Sequence, residues 1–228
     1  MLLEGGFNNY EKWITNIKSV IGDKNGKRGA IVVNCNPMTL GHKYLIQKAL
    51  GEVKELLIFV VEEDLSGFPF EARLNIVSRE FKDDNRIKVL KGGQYIISRG
   101  TFPTYFIKRK DEMLEVYTEL DAKIFGEKIS KDLSIDIRFL GSEPKDVVTS
   151  QYNQSLKKIL ENNNIMVRII NRIESNDKPI SASYVRQLLK ENKINEAYTL
   201  LPRSTIEFLK SQNGIEVIDA IQNQKNKK

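Results

Sequence analysis

Two short stretches of this chain bring together residue types that could handle a phosphate. The first is Asn36 to His42, "NPMTLGH", which carries the one histidine among 228 residues. It follows the apolar run "GAIVVN" and precedes "KYLIQKAL", so it reads as the turn between a strand and a helix. Freed backbone amides at such a helix start, together with the positive end of the helix dipole, form a ready site for an anion. Pro37 stiffens the turn and Gly41 permits close backbone approach. A histidine in the first helical turn can donate a ring N–H to a phosphoryl oxygen, and Thr39, three residues earlier, supplies a hydroxyl nearby. In a displacement at phosphorus such donors stabilise charge on the equatorial and leaving oxygens without a covalent step.

The second stretch, Ile180 to Arg186 or "ISASYVR", has the form of a helix start. Ser181 or Ser183 can cap it, while Val185, Leu188 and Leu189 make a buried stripe. Arg186 lies off that stripe in the first turn, where it can join the freed amides in holding a polyphosphate. Alone, this is an ordinary cap with a solvated arginine. Two anion-ready helix starts on one sheet edge point to a shared phosphate site.

The elements that must position them alternate. Apolar runs predict strands at Gly29 to Asn34, Leu56 to Val61, Ile87 to Leu90, Ile135 to Leu140 and Ile165 to Ile170. Helical spacing predicts helices from Leu40 to about Leu50, from Pro69 and Glu71 to about Phe81, a long stretch ending near Leu133, from about Val147 to Glu161, and one opened by "ISASYVRQLLK". This alternation argues for an α/β fold with a mostly parallel five-stranded sheet and helices on both faces. Ligands of such sheets bind outside the carboxyl ends of the strands, where both motifs fall. The expected organisation is an N-terminal arm over 1–28, a catalytic domain over 29–200, and a helical C-terminal extension with a basic tail over 201–228.

Composition narrows the classes. Hydrophobic content of 40% and charged content of 29% suit a globular chain. There is no apolar run of membrane-spanning length, and "MLLEGGFNNYEKW" lacks the charged and apolar regions of a signal peptide, so a cytoplasmic location is expected. One cysteine, Cys35, excludes an internal disulfide framework, and one histidine leaves little for a transition metal. Any metal is expected to be Mg²⁺ carried by substrate phosphates. A net charge of +6 favours anionic partners without choosing among them. The tail "NQKNKK" reads as solvated chain in preference to a nucleic-acid arm.

Thr39-Leu-Gly-His42 with Ile180-Ser-Ala-Ser183-x-x-Arg186 resembles the paired T/HxGH and ISxxxxR signature of a nucleotidyltransferase superfamily with a Rossmann-like (HUP-type) fold. Further blocks narrow this: "AIVVNCNPMTLGHKYLIQKA", "VVEEDLSGFPFEARLNIV", "GGQYIISRGTFPTYFIK", "ELDAKIFGEKI", "FLGSEPKDVVTSQYNQSLKKIL" and "PISASYVRQLL" are together similar to the citrate lyase ligase family. The resemblance implies an ATP-dependent ligase. Acetate would attack the α-phosphate of ATP to give acetyl adenylate and pyrophosphate. The thiol of the phosphoribosyl-dephospho-coenzyme A arm on the citrate lyase acyl carrier protein would then take the acetyl group, activating citrate lyase. By position, His42 and Thr39 would stabilise the α-phosphate, and Ser181, Ser183 and Arg186 would hold the β and γ phosphates. Asn34, Asn36 and Gly41 would line the nucleotide loop, and Gly141, Ser142 and Glu143 would meet the nucleoside, unless they merely form a tight turn. Lys43 is either a phosphate contact or a surface lysine.

Members of the family usually carry an additional N-terminal domain resembling N-acetyltransferases, for which the 28 residues before the first strand are expected to leave no room, the chain being either a natural short form or a C-terminal piece; "LLEGGFNNYEKWITNIK" looks like the family's junction segment. Cys35 stands where a small residue is expected, and reads as a small buried hydrophobe before a thioester-forming nucleophile. In "GGQYIISRGTFPTYFIKRK", Arg99, Lys108 and Arg109 could meet the phosphates of the incoming arm, with Tyr95, Phe102, Tyr105 and Phe106 as walls. The same residues could be a core-facing aromatic set beneath a solvated basic face. Adenylyl transfer to a phosphorylated small acceptor, as in pantetheine-phosphate adenylyltransferase, and a nucleotide- or RNA-binding module without turnover stay open as alternatives. A nucleic-acid partner is disfavoured and no membrane partner is expected.

Overall fold

A computed structural model describes residues 9–62, 67–96, 110–142, 147–175 and 178–223. Five strands, β1 (Arg28–Val33), β2 (Glu55–Val60), β3 (Ile87–Lys91), β4 (Ile137–Gly141) and β5 (Met166–Ile170), form one sheet in the order β3-β2-β1-β4-β5. Every pairing in it is parallel. The chain therefore winds outward from β1 in both directions, and the order reverses between β1 and β4. That is the switch point at which a crevice opens outside the carboxyl ends of the strands.

Helices cover both faces, which is why the central strands are apolar on both sides. Along β1 and β2, Ile31, Val33, Leu56, Ile58 and Val60 face one core, while Ala30, Leu57 and Phe59 face the other. The first core is closed by α2 (Leu40–Leu50), α3 (Phe70–Glu80) and α7 (Ala182–Lys190), and by α8 (Ile194–Tyr198), α9 (Arg203–Leu209) and α10 (Gln212–Asn223). The second is closed by α1 (Tyr10–Ile21), α4 (Lys110–Lys123) and α6 (Val147–Asn162). After α4 a π-helical segment, Ile124–Ile129, and a last turn, α5 (Ser130–Asp132), complete the long helix predicted to end near Leu133. Beneath β4 the buried Arg138 pairs with Asp121 of α4 at 3.1 Å.

Two local features differ from the sequence reading. β4 begins at Ile137, two residues later than predicted, because the Ile135 N–H turns back to the Ser130 carbonyl at 2.8 Å and closes the preceding helix. A two-residue antiparallel pair, β6 (Glu174–Ser175) with β7 (Lys178–Pro179), carries the chain from β5 to the second motif. Such a short pair leaves no periodic signal.

The C-terminal helices are fastened to the first motif. The Thr205 hydroxyl of α9 donates to the Met38 carbonyl at 3.0 Å, and the Leu40 N–H donates to the Leu200 carbonyl at 2.9 Å. Leu200, Leu201, Leu209, Val217 and Ile221 are buried in the same core as β1 and α2. Residues on both sides of position 200 therefore share one core.

Candidate functional site

At the switch point lies a cleft of about 540 Å³, lined by the ends of β1, β4 and β5 and by the starts of α2 and α7. This is within the usual size of a small-molecule pocket. Of the residues expected from the sequence, Asn34, Thr39, Gly41, His42, Gly141, Ser181 and Ser183 line it.

His42 is set by a capping box. The Thr39 hydroxyl oxygen accepts the His42 backbone N–H at 3.4 Å, and His42 Nδ1 accepts the Thr39 backbone N–H at 3.0 Å. A ring nitrogen that accepts an amide proton carries none of its own, so the neutral imidazole holds its proton on Nε2. Burial, and after it the charge of Arg172, push the imidazole down from 6.5 to about 4. At neutral pH His42 is therefore an uncharged donor with a fixed tautomer. Thr39 itself is fully buried, with its oxygen 2.9 Å from Nδ1. It braces His42 and itself lines the cleft.

Gly41 joins the two motifs. A Cβ there would lie 2.9 Å from the Ile180 carbonyl oxygen and 3.4 Å from Thr39 Oγ1. Only a residue without a side chain lets the start of α2 lie against the strand leading into α7. Ser181 caps α7 by accepting the Tyr184 N–H at 3.1 Å, and the Ser183 hydroxyl accepts from Arg186 Nη2 at 3.4 Å.

Several expected residues stand elsewhere. Arg186 Nη1 donates to the Asn36 carbonyl, so its guanidinium pins the first loop from behind; neither residue is in the cleft lining. Asn36 Oδ1 accepts the Phe68 N–H at 3.0 Å. Lys43 Nζ reaches Glu80 at 2.6 Å, and Glu80 also accepts the Ser204 N–H at 3.1 Å. Burial raises the Glu80 carboxyl, but these donors hold it below its ordinary value. Lys43 is thus neither a cleft contact nor a free surface lysine. Ser142 is not in the cleft lining; its Oγ accepts the Arg172 N–H at 3.1 Å. Glu143, Arg99, Tyr105 and Lys108, with Phe102, Phe106 and Arg109, lie outside the described residues. Tyr95 packs in the core against Trp13 and Tyr10, with ring centroids 5.3 Å and 5.1 Å apart. Cys35 is buried at the end of β1, and burial, opposed by the Arg73 charge, pushes its thiol up to about 12. Burial of this kind suits a small packing group.

The structure adds Asn171 and Arg172, which follow β5 and line the cleft. Burial lowers the Arg172 guanidinium from its ordinary value, though such a group stays charged at physiological pH. Their position just past a strand at the carboxyl edge was a signal the sequence did contain. Arg73 on α3, fully buried behind Asn34, left none. Among the described residues no group of three or more histidine, cysteine or carboxylate side chains could hold a metal, and the described cleft lining contains no carboxylate. No described helix is long and apolar enough to cross a membrane.

A doubly wound parallel sheet whose switch-point cleft joins a TxGH turn to an ISxxxxR helix start defines an α/β protein of Rossmann-like fold. The same fold is found in the solved putative nicotinate-nucleotide adenylyltransferase of Vibrio parahaemolyticus, at a TM-score of 0.50 and 16% identity over 86% of this chain and 96% of that one. More narrowly, the citrate lyase ligase C-terminal domain model matches residues 28–209, and the chain belongs to that family. It is 40% identical over 221 residues to the [citrate [pro-3S]-lyase] ligase of Escherichia coli K12, covering 95% of this chain and 62% of that protein. Against the Klebsiella pneumoniae ligase it is 37% identical over 187 residues, 80% of this chain and 55% of the other. The chain thus spans from 55% to 62% of the length of these curated relatives.

Proposed function

We propose that this chain adenylates acetate with ATP, releasing pyrophosphate, and passes the acetyl group to the thiol of the phosphoribosyl-dephospho-coenzyme A arm on the citrate lyase acyl carrier protein. The observation that supports it most is His42: a neutral imidazole with Nδ1 occupied by the Thr39 amide, in a cleft shared with the Ser181 helix start. An acetate oxygen attacks the α-phosphorus as the bond to the bridging oxygen of pyrophosphate breaks. The Nε2–H of His42 donates to the phosphoryl oxygens on which charge accumulates, and loses no proton in doing so. With Nδ1 accepting and Nε2 protonated, the ring is placed as a donor and not as a general base. The amides at the start of α7, with Ser183 and Arg172, supply the positive surface for the β and γ phosphates. In the second half the arm's thiolate attacks the acetyl carbonyl, the C–S bond forms, and AMP leaves with the bonding pair.

Mg²⁺ fits this cleft only as a companion of the triphosphate, since its described lining offers no carboxylate. Bound that way it neutralises phosphate charge and stabilises the leaving pyrophosphate.

The test is acetate-dependent exchange of labelled pyrophosphate into ATP. Exchange in the unmodified protein, falling on the order of 10²- to 10³-fold in His42→Ala with the melting temperature preserved, supports the reading. A dinucleotide product from phosphopantetheine, with no acetate-dependent exchange, overturns it.

A further inference from the structure

The crevice opens because one ladder of the sheet stops short. β1 runs beside β2 as far as Val33 opposite Val60, and β4 beside β5 as far as Gly141 opposite Ile170. Between β1 and β4 the register goes only from Gly29 opposite Ile137 to Ile31 opposite Phe139. The next two rungs, Val32 with Leu140 and Val33 with Gly141, are not made, and Val32, Val33 and Gly141 line the cleft instead. A split of this kind takes ladder partners from backbone groups on the inner edges of both strands, and a backbone carbonyl left without any partner away from water is costly. The Ser142 N–H crosses to the Ile170 carbonyl of β5 at 2.9 Å. A trans peptide points its N–H and C=O in opposite directions, so the Gly141 carbonyl is turned away from β5, toward β1. A side chain from outside the sheet meets it: Asn153 of α6, 6% exposed, donates from Nδ2 at 3.0 Å. Leu156 and Leu160, three and seven residues further along the same helix, are buried in the second core. An amide on that apolar stripe breaks its pattern, and the Gly141 carbonyl is the group it serves.

We propose that Asn153 is a positioning residue for the nucleotide cleft: by occupying the Gly141 carbonyl it takes the acceptor that the next rungs with β1 need, and so holds β1 and β4 apart at the carboxyl edge. In a parallel ladder continued at the same register, the Gly141 carbonyl would accept from the Asn34 N–H. That rung would draw together Val33 and Gly141, two walls of the cleft, and narrow the floor on which a ligand rests. The role supposes that the cleft binds ATP, as proposed above.

The experiment compares Asn153→Ala with the unmodified protein in ATP affinity by calorimetry, in melting temperature, and in backbone nuclear Overhauser contacts between β1 and β4. Alanine deletes the donor and leaves the Gly141 carbonyl to find another. The expected result is ATP binding weakened about tenfold, the scale of one net hydrogen bond, together with new contacts between Val32 and Leu140 and between Val33 and Gly141. A lower melting temperature with unchanged ATP affinity overturns the inference, since Asn153 would then serve the fold alone. Weaker binding without the new contacts overturns it as well, because the residue would act by a route other than the split. Should Asn153→Ala fail to fold, Asn153→Asp decides through pH. The protonated acid can donate to the Gly141 carbonyl and the carboxylate cannot, so its ATP affinity relative to the unmodified protein is expected to recover as pH falls. A ratio flat in pH overturns the inference. ATP binding without acetate-dependent exchange overturns the ligase reading and leaves this comparison intact. Failure of the unmodified chain to bind ATP overturns both.

Discussion

At the scale of single residues, the cleft is organised by what is denied to polar atoms as much as by what is offered. His42 has one nitrogen occupied by the Thr39 amide, so its other nitrogen can only donate at neutral pH. Because the chain holds one histidine, its imidazole is a ready spectroscopic probe. Its NMR signals are expected to titrate near 4 in the free protein, well below 6.5, and to move upward when ATP places negative charge beside it. The sign for stability follows. The folded value lies below the unfolded one, so the contribution is complete above about pH 6.5 and is lost as pH falls from there through about 4. A His42→Ala protein should lose that part of its acid sensitivity in pH-dependent denaturation curves; an unchanged curve would refute the account. The type and place of His42 were legible in "NPMTLGH". Its protonation state was not, because it depends first on burial in the folded chain and then on Arg172, 130 positions further along. Arg73 shows the limit from the other side: an arginine in an amphipathic helix reads as solvated, and only tertiary packing reveals it buried.

At the scale of elements, the two helix starts work as one because a glycine lets them touch. Gly41→Ala puts a Cβ 2.9 Å from a backbone oxygen, which cannot swing aside as a side chain could. The expected outcome is about 1–3 kcal/mol of lost stability in urea melts, together with weaker ATP binding as α2 and α7 separate. A variant as stable and as tight-binding as the unmodified protein would show that the contact is dispensable. Strand and helix order was readable because doubly covered parallel strands are apolar throughout and their helices carry apolar stripes. Lys43 was not readable: its side chain leaves the turn for Glu80 on the next helix, a pairing that only the tertiary fold reveals. The β6–β7 pair escaped for want of length.

At the scale of the whole molecule, the two cores on either side of the sheet are joined through β1 and β2, and α10 belongs to one of them as fully as α2 does. Ile221, 4% exposed on α10, is expected to cost about 2–4 kcal/mol when cut to alanine. Calorimetry should show a single transition at lower temperature. A separate early transition with the main one unmoved would mean that the C-terminal helices melt on their own. Five strands in an order that reverses at β1 are also what places the cleft, so the location of the site was implied once the alternation of elements was recognised.

The hydrogen bond from Thr205 to Met38, like the contact of Gly41 with Ile180, closes the first motif with residues made much later. During synthesis, then, the turn bearing His42 stays half-built until α7 and α9 have emerged. A ligand of the cleft cannot serve as a template for the first half of the sheet, and its stabilising pull begins only once both helix starts are in place.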